Sequence, residues 1–169
     1  MRLLFVDRVV ELEYRRRVVA ITELSPEEEV FAWHFPANPI LPASLLMECF
    51  AQAATVLIEA SSGFTRKGLP GFIQGAKFHR PVKPEGPLRV EMEVEQWSDE
   101  GALLRGRASQ QGVRCATCTL GMITAPLADF FGPEHSATYR DMYARWFAGA
   151  RLAGFETDPL ESLSRALGG

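Results

Sequence analysis

A twenty-residue apolar stretch constrains the fold of this chain more than any other part of its sequence. It runs from Pro42 to Ser61, starts with a proline suited to the first helical position, and ends before a Ser-Gly pair. As a helix it would be about 30 Å long. Its apolar side chains cover almost the whole circumference: Leu45, Leu46, Met47, Cys49, Phe50, Ala53, Ala54, Val56, Leu57 and Ile58. Such a helix is enclosed by protein, so we expect a sheet to wrap around it.

The start of this stretch belongs to a longer uncharged run that has the length of a transmembrane segment. Val30 to Met47 is 18 residues without a formal charge. However, Pro36, Pro39 and Pro42 each lack an amide donor and push the preceding residue into an extended conformation. Lipid does not tolerate such a backbone, so the sequence predicts no membrane insertion.

The remaining periodic segments predict strands first and helices last. Leu88 to Glu95 alternates apolar and charged residues, as a half-buried strand does. Further predicted strands are Leu3 to Leu12, Arg15 to Leu24, Phe72 to Phe78, and the two arms of a hairpin around Gln110-Gln111-Gly112, Ala102 to Ser109 and Val113 to Thr124. Thr138 to Leu152 and Leu160 to Leu167 are predicted helices. We expect a core over residues 1–125 and a helical C-terminal extension over residues 126–169.

Charge and cysteine usage exclude several classes of protein. Eighteen Lys and Arg against 21 Asp and Glu give a net charge of −3, which does not favour binding to nucleic acid. The three cysteines, Cys49, Cys115 and Cys118, cannot form a closed disulfide framework. The last two have CxxC spacing but lie in a predicted strand, where residues three apart point to opposite faces, so we expect no zinc site. With no signal-peptide pattern at the start, the cytoplasm is the expected compartment.

The segment from His34 to Glu48 carries the chemistry that we expect. It places a histidine in a proline-braced loop and a glutamate inside the apolar helix, fourteen positions later. Burial is expected to raise the pKa of Glu48 and keep it available as a proton donor. Histidine is the usual base near neutral pH. Taken singly, each residue has an ordinary explanation, His34 as part of a loop and Glu48 on an exposed helix edge.

In combination, the residues resemble the active-site segment of the beta-hydroxyacyl-acyl-carrier-protein dehydratases of fatty-acid synthesis. The matching features are His34-Phe35-Pro36, Pro39, Leu41-Pro42, the acid at the family's spacing, and Gln52 one turn after it. The opening strand Phe5 to Glu13 and the stretch Ala76 to Leu88 are also similar to family segments. The resemblance covers about residues 3 to 125.

The resemblance implies an α+β hot-dog fold, in which an antiparallel sheet wraps around a long central helix. It also implies dehydration of a 3-hydroxyacyl thioester to the trans-2-enoyl thioester, in fatty-acid or related lipid or polyketide biosynthesis, without metal or organic cofactor. His34 would be the base, Glu48 the acid, and the backbone amide of Ala43 an oxyanion donor. Phe35, Leu45 and Gln52 would contact the substrate.

The same resemblance implies partners. In the family two subunits pair, and the histidine of one faces the acid of the other, so we expect a homodimer or a higher homo-oligomer. The thioester carrier would be acyl carrier protein or coenzyme A. Lys77, Arg80 and Lys83 form a basic group near the expected pocket entrance, which would dock the carrier or serve only as solubilising charge.

Three departures from the family pattern keep other functions open. The family glycines after His-Phe-Pro and before the helix are Ala37 and Ala43 here, and the bulky Trp33 precedes the histidine. Alanine would narrow the oxyanion site if the glycine there serves close approach. A catalytically silent acyl-binding subunit and a hot-dog thioesterase are the alternatives, although the spacing of His34 and Glu48 argues against the second.

Overall fold

The computed structural model describes residues 3–168 as a seven-stranded sheet packed against one long helix. The strand order across the sheet is β3-β6-β5-β4-β2-β1-β7. The strands are β1 Arg8–Glu13, β2 Arg17–Thr22, β3 Arg66–Phe78, β4 Leu88–Trp97, β5 Gly101–Gln110, β6 Val113–Pro126 and β7 Arg151–Ala153. The helices are α1 Glu29–Trp33, α2 Ala43–Ser61, α3 Ser136–Phe147 and α4 Pro159–Ala166. Neighbouring strands are antiparallel except β1 and β7, which are parallel.

The helix α2 forms the centre of the core, as its apolar circumference predicted. Phe50, Ala53, Leu57 and Ile58 are fully buried, and the helix packs against strands β2 to β5. Within residues 3–168, α2 is also the one helix with the length and hydropathy of a membrane span. Its apolar surface is covered by the sheet, which accounts for that composition.

The predicted hairpin between β5 and β6 is confirmed, together with an irregularity that the sequence did not indicate. Gln111 and Gly112 both have positive φ, 52° and 76°, as a tight two-residue turn requires. Just beyond the turn the register shifts, so that Cys115 has no partner opposite it on β5. This β-bulge changes the phase of the strand, and both Cys115 and Cys118 are buried. The expectation that they point to opposite faces is therefore wrong.

Strand β3 is an edge of the sheet, and its outer half is uncovered. It pairs with β6 on one side, and residues 70–81 are all exposed. Three large apolar side chains on this strand, Phe72, Ile73 and Phe78, are each about half exposed, at 58%, 55% and 48%. A long edge strand with exposed apolar side chains is a template for pairing with another chain.

The segment after β6 folds back onto the core. Helix α3 begins two residues earlier than predicted and ends at Phe147, five residues before the expected end, because Gly149 has a positive φ and the chain then enters β7. β7 pairs with β1 at the edge opposite β3. Helix α4 starts at Pro159, with the carboxylate of Asp158 accepting a hydrogen bond from the Leu160 amide. The described part of this segment thus contacts both α2 and the sheet.

Candidate active site

His34 sits where the short helix α1 ends and the proline-braced loop begins. Its amide donates to the Val30 carbonyl at 3.1 Å, and its own carbonyl accepts from the Ile40 amide at 2.8 Å. The ring nitrogen Nδ1 lies 3.0 Å from the Ile40 carbonyl oxygen. A carbonyl can only accept, so Nδ1 carries the proton and Nε2 keeps its lone pair. The loop therefore fixes both the position and the tautomer of a half-buried imidazole.

Glu48 lies on the exposed side of α2, one turn before Gln52. Its Oε1 accepts a hydrogen bond from Gln52 Nε2 at 2.9 Å. Gln52 also donates to the Leu3 carbonyl at 2.6 Å and accepts from the Phe5 amide at 2.7 Å, so it joins the segment before β1 to the helix. The expectation that Glu48 is buried is wrong for the single chain. Sequence pattern placed it inside an apolar helix, but it lies on a face of α2 that residues 3–168 leave uncovered.

Ala43 is the first residue of α2, and Pro42 precedes it. The first amides of a helix have no acceptor within the helix and carry part of its positive dipole. Among residues 3–168, no hydrogen bond is found for the amide of Ala43, and the residue is exposed. This end of α2 therefore presents backbone donors to solvent in the same region of the chain as His34 and Glu48.

A mainly apolar cavity of about 500 Å³ begins beside Glu48. One wall is α2, which contributes Glu48, Gln52 and Val56. Residues 68–70 at the start of β3 form a second wall, and helix α3 forms a third. A carboxylate at the border of an apolar cavity is an arrangement that suits an acyl chain with its reacting carbons near the acid.

His34 does not line this cavity, and in residues 3–168 no hydrogen bond or ion pair joins His34 to Glu48. The single chain thus presents a candidate base and a candidate acid separately. Both are accessible, and both are held by hydrogen bonds to their own surroundings.

The other residues expected in the site occupy different positions. Phe35 is 55% exposed and stacks on the imidazole of His34, with ring centroids 4.4 Å apart. Leu45 is half-buried and packs against the core. Lys77, Arg80 and Lys83 are all exposed, the first on β3 and the others in the loop after it. Of the expected substrate-contacting residues, only Gln52 lines the cavity next to Glu48.

Sequence reasoning missed a buried polar cluster in which Glu59 of α2 meets Lys67 of β3 and two tyrosines of α3, Tyr139 and Tyr143. Glu59, near the end of α2, is completely buried. Lys67 Nζ lies 2.6 Å from its Oε1, and the hydroxyl groups of both tyrosines donate to its Oε2. Burial and the adjacent carboxylate raise the pKa of both tyrosines, so they remain protonated donors.

A signal for this cluster was present in the sequence. A second acid in an otherwise apolar helix needs partners, and α3 carries two tyrosines one turn apart. What sequence could not supply was the docking of α3 against α2. In the part of the chain that the structure describes, no group of three or more His, Cys, Asp and Glu side chains is placed to hold a metal ion.

Comparison with known proteins identifies relatives of most of the chain. Residues 1–116 match the family described as FabA-like domain. A 3-hydroxyacyl-[acyl-carrier-protein] dehydratase FabZ from Thermomicrobium roseum is 33% identical over 138 residues, which cover 81% of this chain and 89% of that protein. Another, from Symbiobacterium thermophilum, is 46% identical over 93 residues, or 54% of this chain and 65% of that protein. The second match therefore spans slightly less than two thirds of its relative.

Two solved structures show the same fold at low sequence identity. One is a putative thioesterase, yhdA, from Lactococcus lactis, with a TM-score of 0.55 and 13% identity over 65% of this chain and 82% of that one. The other is the dehydratase heterocomplex ApeI:P from Xenorhabdus doucetiae, with a TM-score of 0.51 and 20% identity over 64% and 88%. These neighbours confirm the expected α+β hot-dog fold, with one parallel strand pair added by β7.

Proposed function

Because the chain belongs to the FabA-like domain family, we propose that it is a 3-hydroxyacyl thioester dehydratase, a hydro-lyase that forms the trans-2-enoyl thioester. The observation that carries the proposal is a pair of accessible side chains fourteen positions apart, as in the family. His34 is held through Nδ1 and leaves Nε2 free, and Glu48 borders an apolar cavity. The FabZ relatives act on acyl chains attached to acyl carrier protein, as their names state. We extend that substrate class to this chain.

His34 acts as the base in this proposal. Its Nε2 takes the proton from C2 of the substrate, and the resulting imidazolium keeps its Nδ1 proton on the Ile40 carbonyl. A ring whose tautomer is fixed before the substrate arrives needs no reorganisation at the moment of proton transfer. General base catalysis of this kind contributes about 10²- to 10⁴-fold to the rate.

Glu48 acts as the acid. It donates a proton to the hydroxyl group on C3, the C–O bond breaks, and water leaves as the electron pair from C2 forms the C2–C3 double bond. In the proposed dimer, the second subunit would cover the exposed side of α2 and remove this carboxyl group from water. Gln52 then orients the carboxyl group through its 2.9 Å hydrogen bond.

The amide of Ala43 donates a hydrogen bond that stabilises the negative charge on the thioester oxygen when the C2 proton leaves. It lies at the positive end of α2 and has no acceptor among the described residues. An oxyanion donor is worth on the order of 3 kcal/mol of transition-state stabilisation. Alanine at this position donates through its backbone as glycine does, with one methyl group nearer the substrate.

The working unit in this proposal is a homodimer that forms through the β3 edge. The edge offers unpaired backbone groups and three exposed apolar side chains, which suits an antiparallel pair of identical strands. In this proposal such a pair would bring His34 of one subunit toward Glu48 of the other, so that each dimer would hold two complete sites. Phe35 and Leu45 would then border the substrate. Positive charge for an acidic carrier protein or a coenzyme A phosphate would come from Lys77, Arg80 and Lys83. We place this reaction in the cytoplasm.

The test is hydration of a short trans-2-enoyl thioester, followed by loss of the enoyl absorbance. The wild type is compared with His34→Gln and Glu48→Gln, and with the matched controls His79→Gln and Glu93→Gln, which alter exposed residues outside the site. We expect each site variant to lose about 100-fold or more in kcat/KM and the controls to stay within a factor of about two. Equal rates in all five proteins would remove His34 and Glu48 from the mechanism.

A further inference from the structure

The far wall of the cavity beside Glu48 comes from outside the family match. The match ends at residue 116, and α3 begins at Ser136. One face of α3 lines the cavity, and Thr138, Met142 and Trp146 lie on it at intervals of four residues. This helix therefore closes a space that the matched part of the chain would leave open on that side.

The length of the cavity along α2 fits an acyl chain of limited length. The α2 residues that line the cavity run from Glu48 to Val56, which is about 12 Å along the helix axis. With about 1.25 Å of length per carbon in an extended chain, that distance holds about nine carbons beyond C3. Past Val56 the next residue on this face is Glu59, which is covered by Tyr139 and Tyr143.

Hydrogen bonds to a buried carboxylate hold α3 in place as a wall of the cavity. The carboxylate of Glu59 on α2 accepts hydrogen bonds from the two tyrosines of α3, and Lys67 of β3 pairs with the same carboxylate. Displacing α3 would expose or orphan a buried charge, which is costly. A longer chain therefore meets a helix that resists being pushed aside.

We propose that α3 sets the upper limit of acyl chain length at about twelve carbons, with Met142 and Thr138 as the specificity-determining residues. The proposal rests on the proposed dehydratase function and adds its substrate class, straight-chain acyl thioesters of short and medium length. Met142 is half-buried and Thr138 is exposed to the cavity, so both are open to substitution without removing the tyrosines that anchor the helix.

The experiment uses the full chain and trans-2-enoyl thioesters of four, eight, twelve and sixteen carbons. Met142→Ala enlarges the cavity, Thr138→Phe fills it, and Asp141→Ala changes the exposed face of the same helix as a control. Burial of one further methylene is worth about fourfold in binding. We expect Met142→Ala to raise the ratio of kcat/KM for sixteen over eight carbons at least tenfold, and Thr138→Phe to lower the ratio for twelve over eight by a similar factor. Circular dichroism confirms that each variant is folded.

The outcomes separate this inference from the dehydratase proposal. Normal turnover of the four-carbon substrate with identical chain-length profiles in all variants would overturn the role of α3 and leave the dehydratase intact. A wild type that turns over no thioester would refute the dehydratase alone. In that case calorimetric binding of saturated acyl thioesters of the same lengths decides the role of α3, since the wall limits binding as well as turnover. Unchanged length preference in binding would overturn it.

Discussion

Replacing Lys67 by methionine should lower the free energy of unfolding far more than the loss of an exposed ion pair does. Glu59 is completely buried, and the side chain of Lys67 retains 19% exposure. Lys67→Met leaves the buried carboxyl group of Glu59 without its cation. Breaking a buried pair in this way costs 3–5 kcal/mol in general, and the partial exposure of Lys67 places the expected loss near the lower end, about 3 kcal/mol.

The opposite change should be milder, because the ammonium group has other surroundings. Its nitrogen lies 5.2 Å from the centre of the Phe131 ring and 5.7 Å from that of Tyr139, and it has access to water. Glu59→Gln retains an acceptor for the two tyrosine hydroxyls, so we expect a loss of about 1 kcal/mol. The double variant, Glu59→Gln with Lys67→Met, removes both charges and should be more stable than Lys67→Met alone.

Urea titrations of the four proteins, all at the same protein concentration and followed by tryptophan fluorescence, measure these differences in the free energy of unfolding. The expected order of stability is wild type, Glu59→Gln, double variant, Lys67→Met, with a free energy of unfolding about 3 kcal/mol lower for the last than for the wild type. A double variant that is less stable than Lys67→Met would refute the reasoning, since it would show that the two charges are not coupled.

Three further predictions concern assembly, charge and packing. Ile73→Glu places a charge on the exposed β3 edge and should convert a dimer to a monomer in sedimentation analysis with loss of hydration activity, whereas Val113→Glu, also at an exposed apolar position, should do neither. Glu91 loses solvation by burial, but hydrogen bonds from Arg17 and Arg89 outweigh this and lower its pKa. Its stabilising effect is present above the unfolded pKa of about 4.5 and is lost as the pH falls through the lower folded pKa. Glu91→Gln should therefore cost under about 1 kcal/mol at pH 7 and progressively less below about pH 4.5, as measured by urea unfolding at each pH. Gly106→Ala puts a methyl group 2.6 Å from a buried cysteine sulfur and should cost about 1–3 kcal/mol in thermal unfolding; an unchanged melting temperature would contradict this packing.

Sequence pattern predicted the elements that are long and periodic. The central helix, the alternating strand from Leu88 and the Gln111-Gly112 hairpin all follow from local rules that tertiary context did not overrule. The five-residue helix α1 and the three-residue strand β7 are too short to leave a periodic signal. The bulge at Cys115 reverses the phase of a strand without any glycine to mark it, so alternation alone gave the wrong face.

Residue type and spacing nominated the residues of the candidate site, whose catalytic roles stay predictions, but could not describe their surroundings. His34 and Glu48 were identified by residue type and spacing, and the structure adds that Nδ1 is held and that Glu48 borders a cavity. The exposure of Glu48 in the single chain and the burial of Glu59 both depend on what packs against α2. Such contacts come from segments that are distant in sequence, and helical periodicity cannot report them.

The pairing of β7 with β1 bears on how large an assembly of this chain can become. The sheet has two edges, and the β7 edge ends in only three residues, with the Arg151 guanidinium held 2.7 Å from a Glu11 carboxylate oxygen. A short edge that carries charge is a poor place for another strand to add. Two copies that pair through β3 about a two-fold axis, as proposed, would use up the remaining edge in both partners. The short, charged β7 edge would then limit such an assembly to a closed pair.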